Sequence, residues 1–251
     1  MNLFFKKRKS ALTLIEVMVA CAVLGLFLVI VYRLFIAGGR TASRAQWISN
    51  STDQTRNALN FLNRELAAST YPVTVFSDTF FDPADNPDWS VPAQFYVRIL
   101  KDDEPIVVPS SGEKQLMSWV VSEPEMPGSN PGKIAENELW LVFRHDTPDG
   151  PVGDLVYRRS VYEFTTSADQ YARSGNLNKS ALSDESQNRT LVNDVSEILI
   201  TIGGVLPSQR PLNPVERHPV SIQITTMNPR DTRVTRENRM MMAPQVAIDT
   251  F

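Results

Sequence analysis

The chain has 251 residues and a formal net charge of −3, a size that suits one anchoring segment plus one domain and a charge that implies no global attraction to nucleic acid. A single cysteine, Cys21, excludes an internal disulfide and a cysteine metal cluster, and two histidines, His145 and His218, are too few for a zinc site of the usual type. The charge is unevenly spread. Residues 1–11 hold Lys6, Lys7, Arg8 and Lys9 and no acid. Of the 25 basic residues this leaves 21 against 28 acids, a balance of −7 for the rest.

In chain order, the basic cluster is followed at once by an apolar run. No charge occurs from Val17 to Tyr32, and Arg33 is the only one added before Gly39. A helix over residues 12–36 would be roughly 37 Å long, enough for the roughly 30 Å hydrocarbon core. The charge bias places the basic end in the cytoplasm and the remainder outside it. A secretory signal peptide shares the basic start, but its apolar core is shorter, and Ile36-Ala37-Gly38-Gly39 makes a poor cleavage site. A plain signal anchor fits the length but leaves Glu16 unexplained, because a carboxylate in an apolar stretch is costly and needs a partner.

Residues 6–25 read KKRKSALTLIEVMVACAVLG. This segment resembles the type IV prepilin signal: a short basic leader, a small residue, then an apolar helix with Glu at its fifth position. Thr13-Leu14-Ile15-Glu16-Val17 matches the core of that signal. Two positions depart from it, Ala11 where Gly is usual and Leu12 where Phe is usual; both keep the character of the residue they replace. The resemblance implies cleavage between Ala11 and Leu12 by a membrane-embedded prepilin peptidase, methylation of the new amine on Leu12, and a role for Glu16 in assembly. It also implies other pilins or pseudopilins as partners, inner-membrane lipid around the helix, no cofactor and no nucleic acid. The expected location is the bacterial inner membrane, single-pass, with a cytoplasmic N-terminus and an extracytoplasmic C-terminal domain.

Beyond Gly39 the sequence turns polar while helical spacing persists. Ile48, Thr52, Thr55, Leu59, Leu62 and Leu66 follow steps of four and three, and Ala58 and Phe61 widen the stripe. This fits either a separate helix after a break at Gly38-Gly39 or one helix running to about Ser69. Tyr71-Pro72 ends it, since the residue before proline avoids the helical region.

After Pro72 the pattern becomes strand-like over residues 94–100, 116–121, 138–144, 155–164, 195–202 and 220–225, all rich in β-branched or aromatic residues. Polar, Pro- and Gly-bearing stretches at 77–93, 122–137, 145–154, 203–219 and 226–239 separate them. The expected fold is α+β: a long N-terminal helix, membrane-spanning in its first half, packed on a mostly antiparallel sheet domain with long loops. The expected division is a leader over 1–11, a transmembrane half-helix over 12–36, an outer amphipathic half over 37–70 and a β-rich domain over 71–251. Leu191-Val192-Asn193-Asp194-Val195 and His218-Pro219-Val220-Ser221-Ile222-Gln223-Ile224 resemble segments of the J-type minor pseudopilin of type II secretion.

Other residue groups favour plain readings. Asp78, Asp82, Asp85 and Asp88 offer oxygen ligands of the kind calcium takes, but not at EF-hand spacing, and a solvated acidic loop is simpler. Arg230, Arg233, Arg236 and Arg239 recur every third residue, interleaved with Asp231 and Glu237, as in a solvated loop. His145-Asp146 and His218 come with no nucleophile elbow or metalloprotease helix, and no catalytic residue is expected.

Overall fold

The structure is a computed structural model; it describes residues 13–69, 97–100, 103–123, 132–165, 178–203, 218–245 and 248–250. One helix, α1 (Leu14–Ala67), runs without interruption through Gly38 and Gly39. Two compact units share the chain, one up to Ile48 and one from Ser49 onward. In the first unit residues 13–46 are exposed, including every large apolar side chain of the run. A helix apolar all round and exposed all round is stable only in a non-aqueous surrounding or against other helices.

In the second unit α1 buries Ser51, Thr55, Ala58, Leu59, Leu62 and Leu66. The spacing is one face of a helix turning every 3.6 residues. Each fully buried leucine contributes on the order of 1.5–3 kcal/mol, so this stripe holds the helix on the sheet. Thr52 and Phe61 lie on the flanks and are half-buried, as is Ile48, the last residue of the first unit. Ser51 takes the central place that sequence periodicity gave to its neighbours. Its hydroxyl is satisfied by Thr226 Oγ1 at 2.6 Å. The helix stops before Ser69, whose hydroxyl donates to the Leu66 carbonyl and accepts from the Gln245 backbone. Tyr71-Pro72 lies outside the described residues.

The strands are β1 (Val97–Ile99), β2 (Ile106–Val107), β3 (Glu113–Glu123), β4 (Gly132–Thr147), β5 (Gly150–Thr165), β6 (Asn178–Ile202), β7 (Val220–Met227), β8 (Thr235–Met242) and β9 (Ile248–Thr250). They form one nine-stranded sheet in the order β8-β7-β6-β5-β4-β3-β1-β9, with β2 on β6. Every pairing is antiparallel except β1 with β9. The strand-like stretches of the sequence that fall on described residues lie in β1, β3, β4, β5, β6 and β7. Three differences stand out. The stretch 145–154 is a tight hairpin in which β4 and β5 run to either side of Pro148-Asp149, with Thr147 paired to Gly150. Strand β6 begins at Asn178, far ahead of its apolar part, because residues 178–182 and the exposed residues 187–190 pair with β5 on either side of a register shift. And residues 226–239, read as a loop, hold the end of β7 and the first five residues of β8.

Two local features shape the middle of the sheet. Gly153 sits where both neighbours, β4 and β6, bulge against β5, and a Cβ there would lie 2.2 Å from the Val142 carbonyl oxygen, so no side chain fits. On β6, four residues from Val192 to Val195 oppose three from Gly153 to Leu155, a bulge that places Asp194 at φ 57°. Arg144 reaches from β4 to Asp154 and Asp194, at 3.5 and 3.3 Å. Just beyond the bulge β6 exchanges β5 for β2 as its neighbour, through Glu197 and Ile198.

The core lies between the helix stripe and one face of the sheet, with Val97, Ile99, Leu116, Leu139, Leu141, Leu155, Ile198, Ile200, Ile222 and Ile224 buried. Polar groups enter it at Tyr157. Its hydroxyl donates to Asn137 Oδ1 at 2.6 Å, and its ring packs edge-on to Phe61 with centroids 4.9 Å apart. Burial, reinforced by the nearby Glu65 carboxylate, pushes the Tyr157 hydroxyl well above the usual tyrosine range, so it stays a neutral donor at any physiological pH. Replacing Tyr157 by Phe leaves the fully buried Asn137 amide without that donor. The expected loss is about 1–3 kcal/mol, measurable as a lower denaturant midpoint with unchanged slope; a midpoint equal to wild type would mean that the bond contributes nothing.

Candidate functional site

The site singled out by the sequence is the start of α1. Thr13 is its N-cap: the Thr13 carbonyl accepts the first intrahelical bond from the Val17 backbone N–H at 3.3 Å. Glu16, three residues on, turns back. Its Oε2 accepts from the Thr13 backbone N–H at 2.8 Å and from the Thr13 hydroxyl at 2.9 Å, while the Glu16 N–H donates to Thr13 Oγ1 at 3.4 Å. Thr-Leu-Ile-Glu is thus a capping box, which satisfies two of the helix's orphan donors and sets a carboxylate against the positive end of its dipole. Sequence reasoning singled out Glu16 and passed over Thr13, although the T-x-x-E spacing carries the signal. The carboxylate is exposed, and one of its two oxygens takes all the bonds described. Ala11 and Leu12 lie outside the described residues.

The remaining candidates separate. His145 is half-buried and Asp146 exposed, as alternate positions on β4 require. His218 stands just ahead of β7, three strand spacings from β4 in the sheet, or about 14 Å at about 4.8 Å per strand. The topology therefore brings no catalytic pair together there. Arg236 and Arg239 belong to β8, and the connection ahead of it is a compact turn in which Asn228 bonds Val234 and Val234 bonds Asp231 through their backbones. Arg239 Nε donates to Ser221 Oγ on β7 at 2.6 Å. This corrects the loop reading for Arg236 and Arg239, which backbone pairing to β7 places on a strand, while Arg230 and Arg233 are exposed in the turn. The Asp78–Asp88 loop lies outside the described residues.

The sheet also carries a polar ladder across β3, β4 and β5. Arg158 makes two bonds to Glu113, at 3.0 and 2.6 Å, and stacks over Trp140 with its Cζ 4.9 Å from the ring centre. Glu138 accepts from both Trp140 Nε1 and Gln115. These charges are matched in place, as in a ladder that fixes strand register.

With helix start, cap and apolar run described, comparison with known families is informative. Residues 6–32 match the prokaryotic N-terminal methylation motif. The match covers the basic leader, the capping box with Glu16 and the apolar run as far as Tyr32. The motif supports a structural subunit of the pilin or pseudopilin type. In general terms it implies processing by a prepilin peptidase and assembly with other pilin subunits. Motif and apolar helix together fit a single-pass membrane-anchored protein. No curated protein and no solved structure matches the chain.

Proposed function

We propose that the chain is a minor pseudopilin, a structural subunit of a type II secretion-like pseudopilus, cut between Ala11 and Leu12, methylated on Leu12 and assembled through Glu16. The observation that carries the reading is the methylation motif over residues 6–32 leading into one unbroken helix, Leu14–Ala67, exposed over its apolar part and packed on a sheet over its last turns. Such a helix needs lipid before assembly and neighbouring helices after it.

The leader, residues 1–11, stays cytoplasmic, residues 12–36 cross the inner membrane, residues 37–70 form the outer half of the helix, and the β-rich domain over 71–251 works outside. The pseudopilus reading draws on the two J-like segments, 191–195 and 218–224. They fall on β6 and on β7 with the residues just ahead of it, adjacent antiparallel strands paired in one register from Glu197–Thr225 to Ile202–Val220. The other reading is a minor pilin of a type IV pilus, whose signal is the same.

Affinity isolation of the full-length tagged chain after cross-linking in cells tests the proposal. Other proteins with methylation motifs, recovered with general-secretion components, are the expected result. Recovery with retraction machinery would move the chain to a pilus, and recovery with neither would overturn the filament role.

A further inference from the structure

The outward end of the apolar run carries a feature that the motif does not use. From Val17 to Thr52 the chain holds no acid and three basic residues, Arg33, Arg40 and Arg44. All three lie on α1 and are exposed. Steps of seven and four residues at 3.6 per turn put them within an arc of about 40°, so they form one stripe. Their heights are equally ordered. At about 1.5 Å per residue, Arg33 lies about 4 Å inside the end of the run at Ile36, Arg40 about 6 Å beyond it and Arg44 about 12 Å beyond. The headgroup layer outside a roughly 30 Å hydrocarbon core is about 5–8 Å thick. Arg33 is placed to snorkel outward along the helix, Arg40 stands within the headgroup layer, and Arg44 is within about one Debye length of it.

We propose that Arg33, Arg40 and Arg44 form a binding stripe for phosphate headgroups of the membrane leaflet opposite the leader. The inference rests on the membrane-anchored reading of α1 and adds a lipid specificity to it. Charge excess on a single face, continuity with the apolar run and the match in height favour lipid phosphate over a protein partner. Guanidinium groups suit this ligand because they bind phosphate oxygens in pairs. The stripe would hold the helix at fixed depth and rotation until assembly draws it from the bilayer.

The test uses the full chain in nanodiscs of equal parts phosphatidylglycerol and phosphatidylcholine, with spin-labelled lipids reporting which headgroup is enriched at the protein. The leader also attracts anionic lipid, so the comparison is made in a K6Q/K7Q/R8Q/K9Q background. Several-fold, salt-sensitive enrichment of phosphatidylglycerol is expected, lost on adding R33Q/R40Q/R44Q and kept with R33K/R40K/R44K. All three side chains are exposed, so unchanged circular dichroism is expected throughout. Enrichment that is absent in the leader-neutral protein, or that survives the glutamine substitutions, overturns the proposal. None of these readouts depends on cleavage or filament assembly, so failure here is distinct from failure of the pseudopilin reading.

Discussion

Replacing Glu16 by valine is expected to remove the chain from assembled complexes while leaving membrane insertion and cleavage after Ala11 intact. Once the leader is gone, as proposed, the new cationic amine belongs to Leu12, four positions before Glu16 in the sequence. The carboxylate can neutralise that amine in its own chain or in a neighbouring subunit, and the second pairing also fixes the axial register of the two helices. An unpaired charge left among apolar helices is strongly disfavoured, so incorporation should fall about tenfold or more. The capping box adds a discriminating variant. Glutamine at position 16 can still accept from the Thr13 N–H and hydroxyl, bonds made in the wild type at 2.8 and 2.9 Å, but it cannot neutralise an amine. If charge is what assembly uses, Glu16→Gln fails like Glu16→Val. Should Gln assemble normally where Val does not, capping of the helix is the operative role. Pull-down of partner subunits, beside a mass check of the N-terminus, reads both variants; normal incorporation of Glu16→Val removes Glu16 from the mechanism.

The largest effect on folding is expected from the helix stripe. Leu59 is 2% exposed and packs in the main core cluster. Truncation to Ala should destabilise the domain by about 2–5 kcal/mol, a large share of the 5–15 kcal/mol typical of a whole domain. A chain beginning at Ala45 serves for the measurement, because the apolar run lies upstream and the compact unit starts at Ser49. Arg56, exposed on the same helix, is the control, and its replacement by Ala should stay within about 0.5 kcal/mol. Equal denaturation midpoints for the two variants would contradict the packing of α1 on the sheet.

What could be read from the sequence follows from where each residue's free energy is decided. Thr55, Leu59, Leu62 and Leu66 were legible because burial against a sheet imposes the helical period on apolar residues. Ser51 was not, because its place depends on a hydroxyl partner, Thr226, 175 positions away. The central strands β4 and β7 were legible from apolar and β-branched runs. Strand β8 and the first half of β6 were not, since their sequences show no alternation of polar and apolar types; pairing to β7 and β5 makes them strands, and on β8 the burial of Met242 adds to it. Short β2 and β9 have too few residues to form a pattern, and long-range pairing makes them strands. At the candidate site, Glu16 was conspicuous as an acid in an apolar run. Thr13 escaped notice because threonine there has nothing unusual in its composition; only its spacing from Glu16 marks it.

The central claim is that the chain is processed as a prepilin, and the intact mass of the native protein tests it most directly. The account predicts a chain that begins at Leu12 and carries one added methyl group on its N-terminal amine. A protein that still begins at Met1, or one cut near Ala37-Gly38, would contradict it.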